Sequence, residues 1–281
     1  MMDRGRMSLM TFPLTLDILR GKMSVEDSFL LARSAGIGYV DIMSVSEKIL
    51  PVYKDAVQKT GVQVYCYIAT ISFFQSREKI QQALWKELKK ATALDAKLFM
   101  LVPVTVWDQI RMRRYPRGWI RKTMLSGFRL AVEMGKSFNI KICFETTPHD
   151  VSTLSGNSDC KYIIDKIPEL GFVLDAANML PHGDTTMDAY ELLKDRIVHV
   201  HLKDVCLEDN KSRLPFGEYA KDGRRMHCCV WGQGVIPVMP LYTQMVADGY
   251  QGRFAIEYVH PEQSPCSLEQ HKRQLERFFA E

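Results

Sequence analysis

Short apolar runs rich in β-branched residues alternate with longer stretches of helical periodicity along most of the chain. Runs of roughly four to eight apolar residues bounded by turn residues are typical of buried strands, whereas apolar residues three and four positions apart are typical of amphipathic helices. On this basis we predict eight strands, with helical segments between them. The predicted strands are 9–16, 38–43, 62–69, 97–104, 139–145, 170–175, 197–203 and 253–259.

Several predicted helices have recognisable ends. Ser24 stands three residues before Asp27, which is the spacing of a capping box, and Ser76 precedes a helical segment that runs towards Leu94. A glycine is favoured where a helix must stop before the next strand, because it adopts left-handed backbone angles without strain. We expect this role for Gly36, Gly61 and Gly171.

The alternation of strands and helices predicts an α/β protein with a parallel sheet, because parallel strands need long crossovers that are usually helical. Eight rounds in 281 residues fit a closed (β/α)8 TIM barrel, which typically takes about 250 residues, better than an open sheet. A dinucleotide-binding sheet would carry GxGxxG after its first strand, and this chain has no such motif there. Because no linker-like stretch interrupts the chain, we predict a single domain over residues 1–281.

The composition is that of an ordinary globular protein, with 46% hydrophobic and 25% charged residues. The net charge of +4 is too small and too dispersed to indicate nucleic-acid binding. Seven cysteines without a CxxC pair indicate free thiols in a reducing compartment. No apolar run is long enough to span a membrane, and the first residues lack the apolar core of a signal peptide. We therefore expect a cytoplasmic protein.

Four predicted strands in the second half of the chain end in titratable residues. An unpaired carboxylate next to a buried strand is unfavourable by several kcal/mol, so a positive partner is expected between these side chains. For one residue alone, an ion pair or a hydrogen-bonded core histidine is an equally good explanation. Three carboxylates and one imidazole together favour a site for Mn²⁺, Mg²⁺, Co²⁺ or Zn²⁺. The residues are Glu145, Asp175, His201 and Glu257.

Five segments between residues 144 and 262 resemble the xylose isomerase-like TIM barrels, a family of sugar and sugar-phosphate isomerases and epimerases. The most specific part is HVHLKDV (199–205) followed by WGQGVIP (231–237) and a last strand within GYQGRFAIEYVHPE (249–262). FETTPH (144–149) and LDAANML (174–180) complete the resemblance. The resemblance implies one divalent metal ion held by Glu145, Asp175, His201 and Glu257.

The resemblance also implies the chemistry: proton transfer next to a carbonyl through an enediolate, with Glu145 and Glu257 sharing the acid and base roles. Relatives of the same fold leave three alternatives. A dehydratase of a cyclitol or sugar acid would use the same metal, and a non-catalytic barrel would only bind a sugar. An apurinic endonuclease is disfavoured, because its three zinc ions need histidines from early strands and this chain has none before His149.

Further residues near the strand ends are candidates for substrate binding. His199 shares the face of His201 and either contacts substrate or a ligand, or packs inside the barrel. Lys203 either holds a substrate oxygen or phosphate, or pairs with Asp204 or Glu145. Asn178 stands where ketose 3-epimerases usually have a histidine. The remaining candidates are His182 and, in a loop with six cationic side chains between 111 and 122, Trp107.

The cationic loop has two interpretations. It is either a lid that meets an anionic substrate or an ordinary solvated segment. The expected partner is a small sugar or sugar phosphate, with neither nucleic acid nor a membrane, and the sequence leaves a homo-oligomer open.

Overall fold

The computed structural model describes residues 2–105, 107–108, 112–148, 156–209, 218–229, 231–257 and 268–280. Its strands are β1 (Met7–Met10), β2 (Tyr39–Met43), β3 (Gln63–Thr70), β4 (Leu98–Val102), β5 (Lys141–Glu145), β6 (Gly171–Asp175), β7 (Ile197–Leu202), β8 (Val205–Glu208), β9 (Arg225–Cys228) and β10 (Arg253–Ile256). Eight of them pair in parallel in the closed order β1-β10-β7-β6-β5-β4-β3-β2, which confirms the predicted (β/α)8 barrel. The carboxyl ends of all eight strands therefore lie at the same mouth of the barrel.

Helices alternate with the barrel strands along the described chain. They are α1 (Thr15–Leu19), α2 (Val25–Ser34), α3 (Leu50–Thr60), α4 (Arg77–Ala93), α5 (Arg117–Ser137), α6 (Asn157–Lys166), α7 (Thr186–Leu193), α8 (Val238–Ala247) and α9 (Leu268–Ala280). The main apolar core joins strand residues such as Phe99 and Phe144 to helix residues such as Leu84 and Phe128. A smaller apolar layer, which includes Cys66, Met100 and Cys143, is formed by strand residues.

The predicted helix ends are mostly confirmed. The hydroxyl of Ser24 accepts a hydrogen bond from the amide of Asp27 while the Asp27 carboxylate accepts the amide of Ser24, which completes the capping box. Ser76 caps α4, and Gly61 ends α3 with a φ of 73°. The prediction for Gly171 is wrong, because this residue begins β6. Glycine is required there because a Cβ would overlap with the side chain of Val198.

The first strand is displaced from its predicted position at 9–16. β1 occupies Met7–Met10, and a short 3-10 helix (Phe12–Leu14) followed by α1 takes up the remainder. Pro13 stands at the start of the 3-10 helix. Proline lacks a backbone N–H and fits the first turn of a helix better than the interior of a sheet, so it ends the strand despite the apolar residues that follow it.

A two-stranded antiparallel hairpin, β8 with β9, follows β7 and was not predicted. Val205 pairs with Cys228 and Glu208 with Arg225, so the hairpin leaves the barrel where β7 ends. The six cysteines in the described ranges are free thiols, as expected. In the part of the chain that the structure describes, no helix has the length and apolar character needed to cross a bilayer.

Candidate metal centre

The four predicted ligands come from adjacent strands and meet at the mouth of the barrel. Glu145 and Asp175 are the last residues of β5 and β6, His201 is the penultimate residue of β7, and Glu257 directly follows β10. These strands are consecutive in the ring, and Asp175 is in register with His201. A short stretch of barrel wall thus carries three carboxylates and one imidazole.

Three of these side chains form a compact cluster. One ligand atom from each of Glu145, Asp175 and His201 lies within 4.8 Å of the other two. The Nδ1 atom of His201 is 2.9 Å from Oε2 of Glu145. Glu257 stands slightly apart, with its Oε2 atom 3.6 Å from the same nitrogen. The structure therefore brings all four together, with Glu257 at the edge of the cluster.

The donor atoms of the cluster are buried without hydrogen-bond partners. Among the described residues, Oε2 of Glu145, Oδ2 of Asp175 and both ring nitrogens of His201 have no such partner. The other oxygen of Asp175 accepts the amides of Ala177 and Asn178, at 2.8 and 2.9 Å, which turns Oδ2 towards the cluster. Buried polar atoms without partners are unfavourable, and hard oxygens plus an imidazole suit a divalent cation. The residues therefore fit the metal ion that the family implies.

Lys203 is the cation nearest to the cluster. Its Nζ atom lies 3.5 Å from Oε1 of Glu257 and 3.8 Å from Oδ2 of Asp175. These carboxylates are its partners, instead of Asp204 or Glu145 as one alternative proposed. One ammonium does not balance three carboxylates, and the excess of two negative charges matches one divalent ion.

The electrostatics of the cluster are those of crowded, buried carboxylates. Burial opposes the charge of His201, but Glu145 and the other carboxylates outweigh it and raise the pKa to about 10. Burial raises the pKa of Glu257 to about 7, although Lys203 acts in the opposite direction. The pKa of Lys203 is also raised, because Asp175 and Glu257 outweigh its burial. Without a metal, protons therefore take up part of the negative charge.

Asn178 connects the loops that follow three barrel strands. Its Nδ2 atom donates to the carbonyl of Thr146 at 2.9 Å, and its Oδ1 atom accepts from Lys203 at 3.4 Å. The amide thus holds Lys203 beside the carboxylates, and a contact between Asn178 and substrate stays a prediction.

Asp204 anchors the segment around the WGQG turn. Its carboxylate accepts four backbone N–H groups at 2.8–3.1 Å, from Val205, Gly232, Gly234 and Ile236. A Cβ at position 234 would overlap with this carboxylate, which explains the second glycine of the turn. Asp204 is therefore a structural residue that fixes how the chain leaves and re-enters the barrel around β8 and β9.

The hairpin brings two unpredicted side chains towards Lys203. Cys228, at the end of β9, interacts electrostatically with Lys203 and Glu257, and Glu218 interacts with Lys203. Burial raises the pKa of the Cys228 thiol to about 11, so the thiol is neutral at neutral pH. The alternation of polar and apolar residues in RMHC (225–228) was the available signal for this hairpin, but its strands are only four residues long.

His199 is fully buried and engaged at both ring nitrogens. Nδ1 lies 2.9 Å from the carbonyl of Arg253, and Nε2 lies 2.6 Å from Oδ2 of Asp41. This favours the interior alternative over direct contact with substrate. Asp41 was missed, although a carboxylate in the middle of the apolar run YVDIM is the same signal that identified the others. Asp41 lies inside the predicted strand 38–43, whereas the other titratable residues stand near the ends of their strands.

The remaining predicted substrate residues are Trp107 and His182, and the described contacts do not join either of them to the cluster. Trp107 is 71% exposed, and the half-buried His182 packs beside Gly156. Their roles stay predictions. In the cationic stretch, Arg117 and Arg121 both pair with the buried carboxylate of Asp159 on α6, so these two cations join helices α5 and α6.

The fold is a TIM barrel with a candidate metal centre at its mouth, and comparison with known families identifies the family to which the chain belongs. The model of the family described as xylose isomerase-like TIM barrel matches residues 29–278, and the chain belongs to this family. The resemblance found in the motifs is thereby confirmed. A comparison with curated protein sequences found no significant match.

Several solved structures share the fold at low identity. The IolI protein with a bound zinc atom has a TM-score of 0.75 and 17% identity, over 98% of this chain and 96% of that one. The 3-keto-D-glucoside 4-epimerase of E. coli has a TM-score of 0.67 and 15% identity, over 98% and 99%. A probable 3-DHS dehydratase of Bacillus anthracis has a TM-score of 0.70 and 14% identity, over 98% of both chains. At these identities the likeness shows the fold alone.

Proposed function

We propose that this protein is a divalent-metal-dependent isomerase or epimerase of a sugar or sugar phosphate. The observation that carries the proposal is the cluster of Glu145, Asp175 and His201, whose buried donor atoms lack hydrogen-bond partners and lie within 4.8 Å of one another. Glu257 completes the predicted ligand set. Family membership and the zinc bound to the IolI protein support the assignment. The ion's identity among Mn²⁺, Mg²⁺, Co²⁺ and Zn²⁺ is left to experiment.

A bound divalent ion would stabilise negative charge on the substrate's oxygens while a proton moves next to the carbonyl. Glu145 and Glu257 are the proposed acid and base. One carboxylate would remove a proton from the carbon beside the carbonyl and keep it, the other, protonated beforehand, would deliver its own proton to the neighbouring carbon or to the opposite face, and exchange with solvent would restore both groups.

Lys203 contributes a fixed positive charge close to Glu257 and Asp175. A protonated ammonium donates hydrogen bonds and accepts none, so Lys203 is suited to hold a substrate hydroxyl or oxyanion and not to remove a proton. The Oδ1 atom of Asn178 accepts a hydrogen bond from the Nζ atom of Lys203 and helps to keep it in place. Substrate binding by His182 and Trp107 remains part of the proposal.

The decisive experiment is a substrate screen in deuterium oxide. Protein reconstituted with each ion is incubated with phosphorylated and unphosphorylated ketoses, 3-ketoglycosides and cyclitols. An isomerase or epimerase returns a saturated product that carries deuterium beside the carbonyl. The absorbance of an unsaturated product would instead identify a dehydratase, which the likeness to a probable 3-DHS dehydratase makes the second candidate.

A matched pair of variants separates the site from general effects. Glu257→Gln is expected to abolish exchange of deuterium into substrate. Glu133→Gln, a change of the same kind at an exposed position on α5, is expected to retain it. Full stability without any bound metal after reconstitution would contradict the proposal and favour a non-catalytic sugar-binding barrel.

A further inference from the structure

A second buried cluster lies inside the barrel beside the candidate metal centre. Asp41 on β2 and His199 on β7 are fully buried, and Nε2 of His199 lies 2.6 Å from Oδ2 of Asp41. One ligand atom from each of these residues lies within 4.8 Å of a ring nitrogen of His201. His201 is therefore shared between the two clusters.

The hydrogen bonds around the pair leave little freedom to either side chain. The Nδ1 atom of His199 faces a backbone carbonyl, that of Arg253, and must donate to it. The carboxylate of Asp41 also accepts the hydroxyl of Ser8 at 3.0 Å and the amide of Cys66 at 3.2 Å. Groups from four other barrel strands thus fix the imidazole ring of His199, directly or through Asp41.

Two irregularities of the barrel occur at this pair. The register between β2 and β3 shifts between Val40 and Asp41. The register between β6 and β7 shifts between Phe172 and Val173, and Val173 is the residue opposite His199. Bulges of this kind re-aim side chains and are common beside functional sites. Apolar packing alone does not account for either of these two register shifts.

His201 lacks the contact that usually orients a metal-binding histidine. Such a ring normally donates its second N–H to a carboxylate, a carbonyl or water, but Nε2 of His201 has no hydrogen-bond partner among the described residues. The ring of His199 packs against it instead, perpendicular and with centroids 5.3 Å apart. The locked ring of His199 therefore limits the rotation of His201.

We propose that Asp41 and His199 are positioning residues, which hold the His201 ring so that Nδ1 faces Glu145 and Glu257. The inference rests on the proposed metal centre and adds to it a device that sets ligand geometry by packing. A second metal ion at Asp41 and His199 is the competing explanation. It is disfavoured because such an ion would have to displace the proton between Nε2 of His199 and Oδ2 of Asp41, an oxygen that also accepts the hydroxyl of Ser8.

The test compares Asp41→Asn and the milder Ser8→Ala with a matched control, Asp17→Asn. Asp17 forms another buried pair, 2.9 Å from Nε2 of His271, which involves none of the residues around His201. Metal affinity is measured by chelator competition, and ligand geometry by the absorption spectrum of the Co²⁺-loaded protein. We expect Asp41→Asn to weaken metal affinity about 10- to 100-fold and to alter the Co²⁺ spectrum. Ser8→Ala should produce a smaller effect in the same direction, and Asp17→Asn should produce neither.

A second measurement does not need the metal. In ¹⁵N-histidine-labelled metal-free protein at one fixed pH, the proton between His199 and Asp41 should appear as a strongly deshielded imidazole signal. Asp41→Asn should remove this signal and shift the ring resonances of His201, whereas Asp17→Asn should leave both unchanged.

Three results would overturn the inference. A folded Asp41→Asn variant with unchanged His201 resonances and unchanged metal affinity would leave the pair without a positioning role. Two bound ions in the wild type that fall to one in Asp41→Asn would identify a second metal site instead. A wild type that binds no metal would refute the proposed function, and the inference with it, whereas failure confined to the variants refutes the inference alone.

Discussion

The Nδ1 atom of His201 lies 2.9 Å from Oε2 of Glu145, although the two residues belong to different strands of the barrel. In the metal-free protein the carboxylates around this nitrogen raise the pKa of His201 to about 10. A metal ion and a proton therefore compete for the same nitrogen, because only neutral imidazole binds a metal.

Metal binding should release protons at neutral pH. His201 with a pKa of about 10 and Glu257 with a pKa of about 7 both hold protons that ligation must displace. Isothermal titration calorimetry with Mn²⁺ or Zn²⁺, in buffers of different ionisation enthalpy, measures the number of protons released per bound ion. We expect more than one proton per ion at pH 7 and a weaker apparent affinity at lower pH. Binding without any proton release would show that His201 is not a ligand.

The stability of the metal-free protein should fall as the pH rises from about 5 to 10. Both pKa values are raised in the folded state, Glu257 from 4.5 to about 7 and His201 from 6.5 to about 10. The folded state therefore holds protons that the unfolded chain has already lost, and this stabilisation disappears as the pH passes through the folded pKa values. Urea unfolding at several pH values measures the trend. Saturating metal should flatten or reverse it.

Replacing either proposed acid or base by its amide should lower turnover far more than metal occupancy. Glutamine retains an oxygen for weak coordination but cannot accept a proton, so Glu145→Gln and Glu257→Gln should each reduce kcat by roughly 10²-fold or more. The double variant should lose much less than the product of the two effects, because both groups act on one substrate. Near-normal kcat in a metal-loaded single variant would assign the base to another group.

Lys203→Met should destabilise the metal-free protein by about 3 kcal/mol, because it removes the cation from a buried pair and leaves Asp175 and Glu257 uncompensated. A bound divalent ion supplies the missing positive charge, so the loss should be smaller in the loaded protein. Melting temperatures with and without Mn²⁺ measure the difference. An equal loss in both states would mean that Lys203 and the metal act on separate groups.

Asp204→Asn should loosen the turn at residues 232–236 while the barrel stays intact. An amide nitrogen in place of one carboxylate oxygen leaves two of four backbone N–H groups without an acceptor, at a cost of at least about 2 kcal/mol. Hydrogen exchange at Gly232 and Gly234 should become faster. Asp222→Asn, which changes an exposed carboxylate that bonds to Arg224, is the control and should leave these amides protected.

The parts that sequence analysis predicted correctly are those in which one local signal carries the information. The period at which hydrophobic residues recur distinguishes a buried strand from the amphipathic helix that follows it. A carboxylate after an apolar strand is conspicuous because burial of a charge is unfavourable. Glu145, Asp175 and His201 were found in this way. The prediction of a strand at 9–16 was wrong because Pro13 favours the start of a helix, despite several apolar neighbours.

Other features depended on pairings that no local pattern contains. The ion-pair partners of Lys203 depend on which strands are adjacent in the ring. The spacing of residues along the chain therefore could not show that Lys203 pairs with Asp175 and Glu257 and not with Asp204. Asp41 hydrogen-bonds to His199 across the barrel interior, although β2 and β7 are not neighbours in the ring, so no local pattern could pair the two residues. The four amides that converge on Asp204 come from two separate segments.

The ring order of the strands divides the mouth of the barrel into two arcs. The candidate ligands occupy β5, β6, β7 and the end of β10, which are contiguous, whereas β1 to β4 form the opposite part of the wall. The proposed ligands are therefore confined to one arc of the circle. The loops after β1 to β4 border the other side of the same mouth, so a substrate bound at the metal would also meet residues that take no part in ligation.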